Sequence, residues 1–559
     1  MPATPTALPK TQYAVQLVGP GELRLNTAKP VDVPGPHQVL GQIESVSLCF
    51  SDLKLLKQFS QHPRKSDVTG GLSPEVLKGI PSYVPGDKPT VPGHETVIRI
   101  VAAGDQVKHH KVGERCLVQA DYRAFPTAGS NAAFGYNFEG ALQEYVILDE
   151  RVIIDPVTGE RFLIPVPEHL SSSAASLVEP WACVEDSYVS SERQCIRAGG
   201  KLAVVVDGDH SMRGLQESFS ASGKPASISI VCADGSCRQL ERLGIPVTRL
   251  ASAAELPNGG FDDVVYFGHD RRVIEILNDK LGLSGIMNIV TAGHRIGQPV
   301  SVGVGRVHYG MTRWIGTLSA HACDAYKVIP ATGEVRAGET LCVVGAGGPM
   351  GQMHVLRIAS LPHSGTTLVA VDFDDARLAS LMEKAAPIAR ANGIAIKSVN
   401  PKHQPLSGPF SYHAIMAPVG ALVADAIKNS TKGCLINIFA GIPAAIRQEL
   451  DLDTYIANGC YMFGTSGSTI RDMKLVLEKV VAGTLDTNRS VDAISGMAGA
   501  IEGLAAVENR TLAGKIVVYP RLHDLGLIPL SQLGATLPAV AAKLEHGNWS
   551  AAAEKALVG

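Results

Sequence analysis

Three side chains of unlike chemistry stand out in the first third of the chain. Cys49 lies in LCFSDLK, His94 with Glu95 in VPGHE, and Glu179 in SLVEPWACV. Thiolate, imidazole and carboxylate are the donor types that hold a catalytic zinc ion while one position stays open for water or substrate. A single buried cysteine more often packs than ligates, and GHE fits a plain turn, so the weight of these residues rests on what accompanies them.

What accompanies them is a glycine pattern. In VVGAGGPMGQ, Gly345, Gly348 and Gly351 form G-x-x-G-x-x-G at the end of a strand and the start of a helix, with Gly347, Pro349 and Met350 between them. Missing side chains allow a tight turn and let a pyrophosphate reach backbone N–H groups at a helix N-terminus. The next strand, TLVAVD, ends in Asp372, about 20 residues past the last glycine, where a carboxylate bonds ribose hydroxyls and repels a 2′-phosphate. The order strand, glycines, helix, strand, acid predicts NAD rather than NADP.

The elements that must position these groups fall into two kinds. Residues 13–120 read as short strands with Gly/Pro turns: YAVQLVG, QVLGQIESVSL, TVIRIVAAG and RCLVQA. From about 197 the pattern changes to KLAVVVDG, a helical stretch, ISIVCAD, a helix near 236–243, DDVVYFG and GIMNIVTAG, an alternation that predicts a parallel sheet with crossover helices. The second region repeats itself. RAGGKLAVVV (197–206) matches RAGETLCVVG (336–345), and each follows an Ala-Cys pair, at 182–183 and 322–323. GIMNIVTAG (285–293) matches GCLINIFAG (433–441), and Gly-Thr follows each, at 316–317 and 464–465. Landmarks in one order at near-equal spacing imply two tandem copies of one α/β unit. In the first copy the turn after the strand reads Asp207, Gly208, Asp209, His210, Ser211, Met212, Arg213, Gly214, with carboxylates where a pyrophosphate needs bare amides. That copy is expected to keep the fold without the dinucleotide.

Composition narrows the partners. The 559 residues are enough for two to four domains, and a formal charge of -3 with 18% charged residues gives no reason to expect nucleic acid or an anionic membrane. Abundant glycine (57 residues) and scarce aromatics (5%) suit an α/β enzyme acting on a small molecule. Ten cysteines, at 49, 116, 183, 195, 232, 237, 323, 342, 434 and 460, show no C-x-x-C pair and read as reduced thiols. No basic-then-apolar leader opens MPATPTALPKTQYAVQL and no apolar run approaches a membrane span, so a soluble, cytoplasmic protein is expected.

Taken together, Cys49-Phe50-Ser51-Asp52, GHE followed by VIRIVAAGDQVKHHKVGERC, GALQEYV, LIPVPEHLSSSAASLVEPWACV and GKIVVYP (514–520) resemble the zinc-containing medium-chain dehydrogenase/reductase family. The Glu of VEP in place of a cysteine ligand, and no four-cysteine lobe after Cys116, resemble its sorbitol and sugar-phosphate dehydrogenase branch. The tail GKIVVYPRLHDLGLIPLSQL is similar to that of sorbose-1-phosphate reductase-like members. The resemblance implies an α/β protein with a β-rich GroES-like catalytic domain over 1–196 completed by 492–559. It implies two Rossmann-like parallel-sheet units, a degenerate one over 197–318 and an NAD-binding one over 319–491. It implies one catalytic zinc and no structural zinc, held by Cys49, His94 and Glu179 with Glu95 as an exchangeable ligand. Ser51 falls at the position of the hydroxyl that relays the substrate proton, Lys54 where some members have a relay histidine, and Asp52 where a residue supports the metal loop.

The implied activity is hydride transfer between NAD(H) and a secondary hydroxyl or ketone of a polyol, sugar or sugar-phosphate-like substrate. Two alternatives stay open: a metal-free quinone-type reductase of the same superfamily, and a non-catalytic nucleotide-binding or scaffold protein. Between Cys49 and His94 lie 44 residues, roughly twice the family's usual spacing, and the Pro/Gly-rich surplus either covers the substrate mouth or is a solvated excursion. Its Arg64, Lys65, Lys78 and Lys88 either meet a phosphate or form a solvated cluster. Members of the family dimerise through sheet edges, so the two copies are expected to pair within one chain as a pseudo-dimer; a homo-oligomer remains compatible with this.

Overall fold

The computed structural model describes residues 8–208, 210–232, 240 and 242–559. Asp209, Cys237 and most of the helix expected near 236–243 lie outside the described residues. The chain forms two compact units, Met1–Cys183 with Ser468–Gly559, and Val184–Gly467.

The first unit is built on an 8-stranded sheet whose central strand, Gln38–Ser47, pairs antiparallel with Glu95–Ala103, Tyr145–Asp149 and Lys515–Val518. Val39, Ile43 and Val46 bury their side chains in one apolar cluster with Ile98, Ile100, Leu148, Ile516 and Val518, and that burial fixes the register, because a one-residue slip turns every side chain to the other face. The register places Ser47 opposite Glu95 and Val517. Cys49, two residues beyond the strand, therefore arrives beside the His94-Glu95 pair. Gly93 makes the approach possible: its φ is +94, and a Cβ there would sit 3.1 Å from Leu142 and from Val46.

The second unit is dominated by one 12-stranded sheet. In chain order its strands are β1 (Lys201–Val206), β2 (Ser227–Val231), β3 (Val247–Arg249), β4 (Phe261–Phe267), β5 (Leu281–Val290) and β6 (Arg313–Thr317). Then come β7 (Thr340–Val344), β8 (Thr367–Val371), β9 (Ala395–Val399), β10 (Phe410–Ile415), β11 (Ser430–Ile438) and β12 (Tyr461–Phe463). Their spatial order is 3-2-1-4-5-6-12-11-10-7-8-9. Each half has the doubly wound order of a dinucleotide-binding fold, with all its strands parallel. The halves meet where β6 pairs antiparallel with β12, Trp314 opposite Met462. A second join of the same sense links Val300–Val302 to Gln448–Leu450, segments at equivalent places in the two copies. Equivalent pieces pairing with each other is the geometry of an isologous dimer, here inside one chain.

A buried polar group pins this seam. Glu192 accepts two hydrogen bonds from the Arg313 guanidinium, at 2.7 and 2.9 Å, and a third at 2.5 Å from the Tyr461 hydroxyl. Arg313 belongs to β6 of the first copy and Tyr461 to β12 of the second.

Two expectations fail. The helical stretch after β1 does not form: only a single 3₁₀ turn, Gln216–Ser218, lies between Val206 and Ser227 among the described residues. Gly208, Gly214 and Gly223 take positive φ there, and Pro225 follows, so no run long enough for a helix survives. Nor are all the cysteines reduced: Cys232 is disulfide-bonded, whereas Cys49, Cys116, Cys183, Cys195, Cys323, Cys342, Cys434 and Cys460 are free thiols.

Candidate active site

The helix Phe50–Gln58 begins at Cys49, whose backbone N–H donates to Asp52 Oδ2 at 3.1 Å. The other oxygen, Asp52 Oδ1, lies 3.0 Å from His94 Nδ1. Asp52 is fully buried, so this one carboxylate caps the helix and orients the imidazole. Nε2 of His94 is thereby turned toward Cys49. The Ser51 hydroxyl sits between the two, 3.0 Å from Cys49 Sγ and 3.2 Å from His94 Nε2. Burial lowers the basicity of His94, but the Asp52 carboxylate together with Tyr136 and Cys49 outweighs it and holds the imidazole well above its ordinary value.

Cys49, His94 and Glu95 form a metal-capable group, one ligand atom from each lying within 4.8 Å of the others. Sulfur, imidazole nitrogen and carboxylate oxygen, with a carboxylate bracing the histidine, is a donor set that fits zinc. Glu95 is also engaged elsewhere. Lys515 Nζ stands 2.6 and 2.7 Å from its two oxygens, and the Ser47 hydroxyl donates to it as well. A carboxylate balanced between an ammonium and a metal suits an exchangeable ligand better than a permanent one.

Glu179 opens the helix Val178–Val189 and is not part of that three-residue group. It is still within electrostatic reach. Burial pushes its carboxyl up to about 7, while His94 draws it down and Glu95 raises it further. Cys183, four residues on and so on the same helix face, has its thiol pushed well up by burial and by Glu179. Lys54 is exposed, and no hydrogen bond joins it to Ser51 among the described residues.

Residues that the sequence did not single out complete the setting. The Tyr136 ring packs 5.9 Å from His94 and 5.1 Å from His62, and the Arg64 guanidinium lies over it at 5.6 Å. Arg64 also pairs with Asp121 at 2.6 Å. The insertion thus brings His62 and Arg64 to the ring that packs on a metal-site histidine. Its other basic residues diverge. Lys65 is buried and donates to the backbone carbonyls of Val84 and Lys88, and burial lowers its ammonium to about 7. Lys78 and Lys88 are exposed.

In the second unit, β7 runs into the helix Pro349–Ala359 through the glycine turn. Gly345 has φ +81, and a Cβ on Gly351 would sit 2.1 Å from the Gly345 carbonyl oxygen. Both positions therefore require glycine. At Gly348, the N-cap, the nearest atom to an added Cβ is 3.9 Å away, so that glycine is not demanded by packing, and its N–H donates only a long 3.5 Å bond to the Gly345 carbonyl. Pro349 takes the first helical position and Met350 follows. Asp372, just past β8, accepts from the Gly347 N–H at 2.9 Å and from the Asp374 N–H at 3.1 Å. These features fit a dinucleotide: a tight turn, a free helix N-terminus and an acid at the next strand end.

Comparison with known proteins agrees. Residues 35–157 match the alcohol dehydrogenase GroES-like domain. The chain is 23% identical over 365 residues to the uncharacterized protein YggP of Escherichia coli K12, covering 58% of this chain and 79% of that one. It is 35% identical over 101 residues to sorbitol dehydrogenase of Bos taurus, covering 18% of this chain and 22% of the relative. Mannitol-1-phosphate 5-dehydrogenase of Aliivibrio fischeri is 21% identical over 432 residues, covering 69% of this chain and 94% of the relative. A Cys-His-Glu zinc site in a GroES-like fold, joined to dinucleotide-binding sheets, is the architecture of an NAD-dependent zinc dehydrogenase. Among the described residues no helix is long and apolar enough to cross a membrane.

Proposed function

We propose that the substrate is a polyol, sugar or sugar-phosphate-like molecule oxidised at a secondary hydroxyl, or the corresponding ketone reduced. The observation that supports reaction at a hydroxyl or ketone is the Ser51 hydroxyl, 3.0 Å from Cys49 Sγ and 3.2 Å from His94 Nε2. The bound groups supply Lewis-acid polarisation of the reacting oxygen and acceptance of the hydride. Cys49, His94 and Glu179 would hold the zinc, with Glu95, which stands with Cys49 and His94, as the exchangeable ligand. Ser51 Oγ accepts a hydrogen bond from the substrate hydroxyl and relays its proton, releasing its own hydroxyl proton toward solvent. Gly345, Gly347, Gly348, Pro349, Met350 and Gly351 cradle the pyrophosphate of NAD, and Asp372 binds its ribose. We assign the division 1–196 with 492–559, 197–318 and 319–491 to catalysis, support and cofactor.

Arg64 supports the phosphorylated end of this substrate range. A guanidinium over Tyr136, paired among the described residues with Asp121, is placed to exchange that carboxylate for an anionic substrate group. The relatives named for sorbitol and for mannitol 1-phosphate are consistent with the range. The test is NADH formation, followed by absorbance over matched polyols and polyol phosphates, on protein with its zinc measured. One zinc per chain at this site is expected, lost in Cys49→Ala. Arg64→Ala is expected to raise KM about tenfold for phosphorylated substrates alone. Metal-free wild-type protein that still turns over a quinone would replace this reading with the metal-free one.

A further inference from the structure

The first copy carries a cluster that the dehydrogenase reading does not use. His210 follows β1, His269 follows β4 and His294 follows β5, so three imidazoles gather at the carboxyl ends of three adjacent parallel strands. Their ring centres are 4.7 Å apart for His269 and His294, 5.6 Å for His210 and His294, and 5.9 Å for His210 and His269. Asp207 stands at the same strand end, its carboxylate bonded by the Tyr266 hydroxyl. This is the crevice where an open α/β sheet places its ligand. The equivalent strand ends of the second copy read GAGG (345–348), MAPVG (416–420) and FAGIP (439–443), with no histidine. The cluster is therefore a property of the first copy and not of the repeat.

We propose that His210, His269 and His294 form a second metal site, for a divalent transition-metal ion of the zinc, nickel or copper kind. With metal–nitrogen bonds of about 2 Å, a ring centre lies roughly 3 Å from the ion, and tetrahedral imidazoles then stand about 5 Å apart, centre to centre. The observed separations bracket that value. Nδ1 of His269 is buried with no hydrogen-bond partner among the described residues. Imidazole nitrogen is the ligand these metals share, whereas calcium and magnesium require oxygen. His269 and His294 are stacked within 12° of parallel. As they stand the three imidazoles do not bring their nitrogens together as Cys49, His94 and Glu95 bring their ligand atoms; closing them on one ion requires His294, which is exposed, to rotate. Where the second copy holds a dinucleotide with bare amides, the first would hold a cation with imidazoles, so the repeats have diverged in ligand charge as well as in turn sequence.

The experiment is a titration of the full, zinc-loaded protein with Co2+ and separately with Ni2+, followed by absorbance and by counting bound metal. A second equivalent is expected to bind with d–d bands and no thiolate charge-transfer band, which separates it from the cysteine-containing site. His269→Ala with His294→Ala is expected to weaken that equivalent at least tenfold and leave NADH formation intact. Because His294 is exposed, His294→Ala alone carries the test if the double variant folds poorly. Cys49→Ala, which disables the first site, is expected to leave the second equivalent in place. A stoichiometry that stays at one, or a second equivalent that His294→Ala leaves unweakened, would overturn the proposal.

Discussion

The two copies in the 12-stranded sheet share strand order and differ at every strand end that meets a ligand. After β7 the backbone turns on Gly345, and an added Cβ at Gly348 would meet nothing closer than 3.9 Å. After β1 the corresponding place is filled: the Tyr266 hydroxyl donates to Asp207 and accepts from the Asp270 N–H at 2.9 Å. One copy keeps glycines at the turn, and the other sets a phenol and a carboxylate there. Scaffold and site are thus separable, because strand pairing depends on apolar faces, whereas the ligand depends on a few residues beyond them. Duplication lets one copy keep the chemistry while the other supplies the edge strand that its partner needs.

The largest effect is expected where the copies are joined. Glu192 is the carboxylate that Arg313 and Tyr461 share across the seam, and Glu192→Ala leaves a guanidinium buried without its counter-charge. Breaking a buried pair in this way costs about 3–5 kcal/mol. Chemical denaturation is expected to show that loss, with the slope of the transition unchanged if the copies unfold together. A loss below about 1 kcal/mol would mean that the seam is held by the sheet alone.

Next in size is Gly348→Asp, which gives the second copy a carboxylate like those of the first. A Cβ there meets nothing closer than 3.9 Å, so the fold should stand while the pyrophosphate is repelled. NADH fluorescence titration is expected to show binding weakened at least about 100-fold, with melting temperature unchanged. Wild-type protein is expected to bind one NADH per chain. Two per chain would mean that the Asp207 turn binds it as well.

Acid should separate the copies further. Burial lowers His354 to about 3 and His413 to about 4, and both lie in the second copy. Both are neutral in the folded state at pH 5 and largely protonated when unfolded, so the unfolded state binds more protons between those values and about 6.5. Stability present above pH 6.5 is therefore lost as pH falls through this window, at up to about 1.4 kcal/mol per pH unit for each histidine. Denaturation midpoints measured from pH 7 to 4.5 are expected to fall, and His413→Phe to flatten the fall. An unchanged slope in that variant would remove His413 from the account.

Much of this was legible in the sequence because it is local or repeated. The turn glycines, the GHE pair and the duplicated strands each announce themselves within ten residues. The failures have physical causes. Lys515 lies 420 residues from the Glu95 that it neutralises, and only the register of the central strand brings them together. Arg64, Lys65, Lys78 and Lys88 look alike as a charge cluster, yet only folding sends Lys65 into the interior and Arg64 to Tyr136. The crossover after β1 lacks the helix expected of it, because alternation predicts only that a chain must cross between parallel strands. It does not say that the crossing must be helical.

The finest difference between the copies is at Asp372, where the expected effect is about tenfold. In the proposed site its carboxylate would meet the ribose of NAD, and a 2′-phosphate there would bring like charges together. The structure adds a complication that fixes how the test is read. Asp372 also accepts the Gly347 N–H at 2.9 Å, so removing it loosens the glycine turn and weakens both cofactors. The informative quantity is therefore the ratio of the two affinities and not either one alone. Asp372→Ser keeps a hydroxyl to accept from Gly347 while removing the charge, and it is expected to shift the NADH-to-NADPH ratio about tenfold toward NADPH. Asp372→Ala should give the same ratio at lower absolute affinity. Calorimetric titration of both cofactors against both variants separates repulsion from support. If the ratio holds and only the affinities fall, Asp372 is a brace for the turn, and the choice of cofactor lies elsewhere on the second copy.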